Sequence, residues 1–132
     1  MESKIEHISV FFAGGIVYSL LEILWRGFTH WTMTVAGGVC FLLLYGINRI
    51  MAKRPLLLRC LAGAGVITAV EFAAGVVVNL VFRLDVWDYS DLPFNLLGQI
   101  CPFFSMLWFL ICIPAFFLGS LIRQYFKLIF EQ

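Results

Sequence analysis

Apolar residues run along this chain in four long, continuous stretches separated by short polar breaks. The first extends from Ile8 to about Trp25, the second from about Met33 to Met51, the third from about Cys60 to Phe82, and the fourth from about Leu96 to Ile122. A bilayer core about 30 Å thick is crossed by about 20 apolar residues of helix, so each stretch predicts one transmembrane helix. The runs do not alternate with polar residues and are too few to close a barrel, which argues against membrane strands. The first run leads straight into Glu22, Trp25 and Arg26 without a small-residue cleavage site, so it predicts a retained helix and not a signal peptide. The expected fold is all-α: one polytopic domain over residues 1–132, with four spans.

Polar residues interrupt these runs with helical spacing. Tyr18, Glu22, Arg26 and His30 recur every fourth position in span one, and Glu71, Gly75, Asn79 and Arg83 do so in span three. Residues at i and i+4 share a helix face, so each of these spans carries one polar stripe. The words Gly37-Gly38-Val39-Cys40-Phe41 and Gly98-Gln99-Ile100-Cys101-Pro102, in the second and fourth stretches, echo each other. Either duplication or coincidence accounts for the echoes; duplication would make two parallel two-helix repeats, an arrangement that places sites at the repeat interface in transport proteins. Opposite the stripe of span three, Gly65, Ala69 and Ala73 form a small-residue row of the kind that lets helices approach closely in lipid. Span three is therefore expected to be the central helix, with Leu44 of span two facing lipid.

Composition fixes the solvent. The chain has 132 residues, 62% hydrophobic and 13% charged, against about 25% charged in soluble domains. A chain this short cannot hide so much apolar surface in its own core. A soluble domain, a disordered chain and a disulfide-framed secreted domain are all excluded. Net charge is +1, with no basic stripe for phosphates, so nucleic acid is not an expected partner. Lys and Arg divide seven against two between the two sides, with Arg49, Lys53, Arg54 and Arg59 clustered between spans two and three. The positive-inside rule then predicts a multi-pass plasma-membrane protein with both termini in the cytoplasm. Glu6 counts there as a cytoplasmic acid outside the spans.

The ionisable residues inside the spans are the candidates for chemistry. Counting about 1.5 Å per residue puts Glu22 about 21 Å deep and Glu71 about 16 Å deep from the cytoplasmic end. Such residues face an interior or a cavity. Glu22 has Arg26 one turn away as a partner, whereas the i±4 neighbours of Glu71 are Ile67 and Gly75. Glu71 must be protonated, pair with another element or meet a ligand, and Asn79 can join the same pocket. His30 reads as a proton carrier, a metal ligand or an interfacial residue beside Trp31. Trp25, Trp31, Trp87 and Tyr89 suit an outer aromatic belt. Asp85, Asp88 and Asp91 read as solvated acids or a cation-collecting loop. Pro93 and Asn95 read as the turn that starts span four, with Pro102 and Pro114 able to kink it. The four cysteines, Cys40, Cys60, Cys101 and Cys112, lack ligand spacing and read as small packing residues. No P-loop, nucleophile elbow, zincin or dinucleotide motif is present, so no cofactor or metal is expected and any energy source lies in a gradient or another chain.

Longer words in the sequence carry a resemblance. Glu22-Ile-Leu-Trp25-Arg26-Gly27, Thr29-His30-Trp31-Thr32-Met33, Gly37-Gly38, Glu71-Phe72, Gly75, Asn79, Trp87-Asp88-Tyr89-Ser90, Pro93-Phe94-Asn95 and Gly98-Gln99-Ile100-Cys101 are together similar to the ABC-transporter type IV, or CmpB-like, membrane proteins. The resemblance covers roughly Gly14 to Phe109 and implies a small multi-span membrane protein with a transport role. Stripe and motif residues together make the candidate solute-binding set: Glu22, Arg26, His30, Glu71, Asn79, Trp87, Asp88, Asn95 and Gln99. The leading expectation is a subunit that binds or passes a small solute through an outward-facing polar pocket, as a homodimer or with a partner membrane or ATPase chain. The alternatives are a structural or regulatory helper of another membrane protein, and an intramembrane acid/base enzyme using Glu71 or His30 on a lipid-like substrate.

Overall fold

Without water in a bilayer core, backbone N–H and C=O groups must pair within each crossing segment, and every apolar run accordingly folds as helix. The computed structural model describes residues 2–130. Its helices are α1 (Glu2–Arg26), α2 (Trp31–Ile50), α3 (Leu56–Gly75) and α4 (Pro102–Phe130), and α3 continues into a π-helical segment, Val76–Val81. Four helices are long and apolar enough to cross a membrane, which makes this a multi-pass membrane protein. Gly27 stops α1 at a positive φ of 85°. A long loop, 82–101, joins the π-helical segment to α4. The α1–α2 turn and this loop share one end of the bundle, called the loop face below; the start of α1, the end of α4 and the α2–α3 turn share the other, the terminal face.

The fourth helix begins later than the hydropathy suggests. Residues 96–101 form a tight turn closed by an isolated antiparallel bridge between Leu96 and Ile100, so Asn95 belongs to the loop and does not start the helix. Pro102 opens α4, a position where its missing N–H costs nothing, while Pro114 lies inside the helix. The echoing words therefore occupy different structures: Gly37-Gly38 lies within α2, and Gly98–Cys101 lies in the turn before α4.

The centre of the bundle is α2, which packs against α1, α3 and α4. The expectation that span three would be central does not hold. Glycines elsewhere cause this: a Cβ on Gly37 would sit 2.6 Å from Tyr18 Cβ, one on Gly38 2.7 Å from the Phe11 ring, and one on Gly15 2.8 Å from the Thr34 carbonyl. Gly14 meets Phe41 in the same way. The close helix pair is thus α1–α2, with a Ser19–Thr34 hydroxyl contact of 2.6 Å between them. Gly65, Ala69 and Ala73 instead lie exposed on the outside of α3, with open space around Gly65. Leu44 is not lipid-facing either; it is buried in a core with Cys60, Ile67, Trp108, Cys112 and Phe116. Two of the cysteines do there what small apolar residues do: Cys112 and Cys60 are fully buried, with Cys112 Sγ close against Gly63.

At the terminal face, Glu6 is within α1, not outside the spans, and is only 4% exposed. It accepts hydrogen bonds from the Tyr45 hydroxyl (2.5 Å) and Arg123 Nη1 (2.8 Å). This ion pair ties α1 to α4 across α2. Nearby, Arg59 Nη1 donates to Asn48 Oδ1 (2.6 Å), and Asn48 Nδ2 donates to Ser120 Oγ (3.0 Å), tying α3 to α2 and α4.

Candidate functional site at the loop face

The polar stripes of α1 and α3 meet other elements in different ways. On α1, Glu22 accepts from Arg26 Nε at 2.6 Å and from the Tyr18 hydroxyl at 3.0 Å, so three successive stripe residues satisfy one another along the helix. Arg26 also reaches across to the long loop, where its Nη1 donates to the Val86 carbonyl at 2.8 Å, and its guanidinium lies over the Phe28 ring. Its Nη2 is buried and finds no hydrogen-bond partner among the described residues. On α3, Glu71 receives two neutral donors and, among the described residues, no cation: the Tyr89 hydroxyl at 2.9 Å and Trp108 Nε1 at 3.1 Å. The two carboxylates are joined through aromatic rings, since Tyr18 packs against Trp108 with centroids 6.0 Å apart. Phe104 stacks on Tyr89 at 4.5 Å, fixing the hydroxyl over Glu71. Burial pushes the Tyr89 phenol well above its ordinary range, with the adjoining Glu71 carboxylate adding to the effect, so it remains a donor.

Asn79 is the clamp of the loop. The π-helical turn that carries it has wider backbone spacing than an α-helix, a form common at functional sites. Its Oδ1 accepts from the Val86 N–H (2.7 Å) and the Trp87 N–H (3.4 Å), and its Nδ2 donates to Gln99 Oε1 (2.7 Å). Trp87 Nε1 donates to the Gln99 carbonyl at 3.0 Å. Gly75 makes this seat possible, because a Cβ there would meet Gln99 Oε1 at 2.5 Å and the Trp87 ring at 3.0 Å. Trp87 is consequently buried and Tyr89 half-buried, so they do not join Trp25 and Trp31 in an exposed belt.

The remaining candidates hold backbone. Asp88 is exposed; hydrogen bonds from the Ser90 hydroxyl and N–H hold its carboxyl below the usual range. Asn95 braces the loop through Ser90 and Leu92 carbonyls and the Gly98 N–H. Gly98 has a φ of 74°, and a Cβ there would also crowd Asp88 and Ser90. Asp85 and Asp91 are exposed. His30 caps α2 through Nδ1, with the Thr32 hydroxyl at 2.7 Å and the Thr32 N–H at 3.3 Å. Seven of the nine candidates thus fall into one connected region: Glu22, Arg26, Glu71, Asn79, Trp87 and Gln99 where helix meets loop, and Asn95 behind them through Gly98. Asp88 supports that loop from the exposed side, and His30 stays at its own helix start.

Three participants are absent from that candidate set: Tyr18, Tyr89 and Trp108. Tyr18 is marked by the spacing of its stripe. Trp108 has a signal too, since an indole in mid-span must find an acceptor for its N–H when buried. Two recesses, of about 460 and 490 Å³, lie elsewhere, one between α1 and α4 and one on the α2–α3 turn.

No curated protein and no solved structure matches the chain. A family model does: it spans residues 9–131, almost the whole sequence and all four helices. By that match the chain belongs to the family described as Putative ABC-transporter type IV.

Proposed function

We propose that this protein is a membrane subunit of an ABC-type transport system that binds a small cationic solute at the loop face, with the ATPase on a separate chain. The observation that carries this reading is the unequal neutralisation of the two carboxylates. Arg26 is committed to Glu22 and to the Val86 carbonyl, while Glu71 is held by two neutral donors. A carboxylate at membrane depth with no cation is expensive, and such residues mark solute or proton paths. A cation arriving from the loop face would restore the balance, and Tyr89 and Trp108 would orient the carboxylate toward it. The loop clamped by Asn79 covers this layer and would have to loosen for entry. The excess of Lys and Arg at the terminal face supports a cytoplasmic location for that face in the plasma membrane.

The reading is tested by thermal stability of the detergent-purified protein against sodium, potassium, methylammonium and tetramethylammonium ions. At least one should stabilise the parent protein and leave Glu71→Gln unchanged. Equal stabilisation of parent and variant by every cation, or stabilisation by small anions alone, would overturn it.

A further inference from the structure

The terminal face carries a second charged feature that the loop-face site does not use. The turn between α2 and α3 is tight, held by Arg54 N–H to the Met51 carbonyl at 2.9 Å. It forms an open recess of about 490 Å³ lined by Arg49, Ile50, Ala52, Lys53 and Arg54. The side chains of Arg49, Lys53 and Arg54 are exposed and make no hydrogen bond or ion pair with any described residue. Glu6, the buried acid at this end, is already held by Arg123 and Tyr45. Three like charges in one turn repel each other, and an anion relieves the repulsion. The first turn of α3 adds to the attraction: it holds no acidic residue, and Pro55 before it supplies no side-chain cap, so the positive end of the helix is open.

The apolar surroundings decide which anion. Ile50, within the recess, is 87% exposed, and Leu57 on the first turn of α3 is 64% exposed. Free phosphate gains nothing from such neighbours, whereas a phospholipid brings acyl chains to cover them. Basic groups just beyond a membrane helix attract anionic headgroups. We propose that this recess is a headgroup site for an anionic phospholipid, with its phosphate among Arg49, Lys53 and Arg54 and its chains along Ile50 and Leu57.

The test uses the full-length protein, delipidated in an uncharged sugar detergent and titrated with phosphatidylglycerol, phosphatidylcholine or inorganic phosphate, with bound lipid counted by native mass spectrometry. Each cation near an anionic headgroup contributes about fivefold in affinity, so Arg49→Gln, Lys53→Gln and Arg54→Gln together should weaken phosphatidylglycerol binding roughly a hundredfold. Lys53→Gln alone should weaken it about fivefold. A control lacking Lys4, Arg83 and Lys127 loses the same charge elsewhere and should bind like the parent. Because the three side chains are exposed and unpaired, the triple variant should melt with the parent when lipid-free. Four results would overturn the proposal: equal binding of phosphatidylcholine, equal loss in the control, undiminished binding by the triple variant, or inorganic phosphate displacing the lipid at similar concentration.

Discussion

Among the described residues, three glutamates, Glu6, Glu22 and Glu71, lie within the membrane-spanning segments, and each meets the cost of its charge differently. Glu22 is neutralised from its own helix by Arg26, Glu6 from the far end of the chain by Arg123, and Glu71 by dipoles alone. Only the first arrangement is legible locally, because a spacing of four puts both groups on one face. The Glu6–Arg123 pair spans nearly the whole sequence and leaves no periodic trace, which is why Glu6 reads as a solvated terminal acid. For Glu71, its isolation on its own helix is legible and its partners are not, since Tyr89 and Trp108 arrive from a loop and another helix. The indole N–H of Trp108 can be tested separately from its ring. Trp108→Phe keeps most of the packing and removes a hydrogen bond to a carboxylate, and should cost about 2 kcal/mol in detergent unfolding. Unchanged stability would mean that Tyr89 alone suffices to hold Glu71.

At the scale of elements, hydropathy locates the helices well but misjudges their faces. The small-residue row Gly65, Ala69 and Ala73 lies exposed, whereas the adjacent glycine pairs Gly14-Gly15 and Gly37-Gly38 make the close contact. A row at spacing four shows that a close approach is allowed, not that a neighbour uses it. The start of α4 escapes hydropathy for a related reason: Leu96, Leu97 and Ile100 are apolar enough to extend an apolar run, but Leu97 and Gly98 adopt positive φ in a turn. These assignments make a paired prediction. Gly37→Leu drives a side chain into Tyr18 and should destabilise the protein by about 3 kcal/mol or abolish folded yield. Ala69→Leu extends into open surroundings and should change thermal stability by less than about 0.5 kcal/mol. The reverse order would return span three to the centre of the bundle.

The whole molecule is a bundle organised around α2, with an ion pair locking its terminal face and a polar layer joining helix to loop at the other. Its membrane class, span number and family were all legible in the sequence, because apolar run length and long motif words survive without knowledge of packing. Most of the loop-face cluster was legible as well, since the motif words concentrate where the loop folds back onto the helices. Their division of labour was not, because roles depend on which atoms meet. In the proposed site Glu22 serves to hold Arg26, and Glu71 serves to meet the solute. The most direct measurement compares folded yield and thermal stability of Glu22→Gln and Glu71→Gln, purified side by side. Glu22→Gln strands Arg26 inside the membrane and should lose about 3 kcal/mol, seen chiefly as lost folded protein. Glu71→Gln removes a charge that has no counter-ion and retains an amide oxygen as acceptor, so it should fold like the parent while losing its response to cations. A folded but unresponsive Glu22→Gln beside an unfolded Glu71→Gln would show that the two carboxylates have the opposite roles.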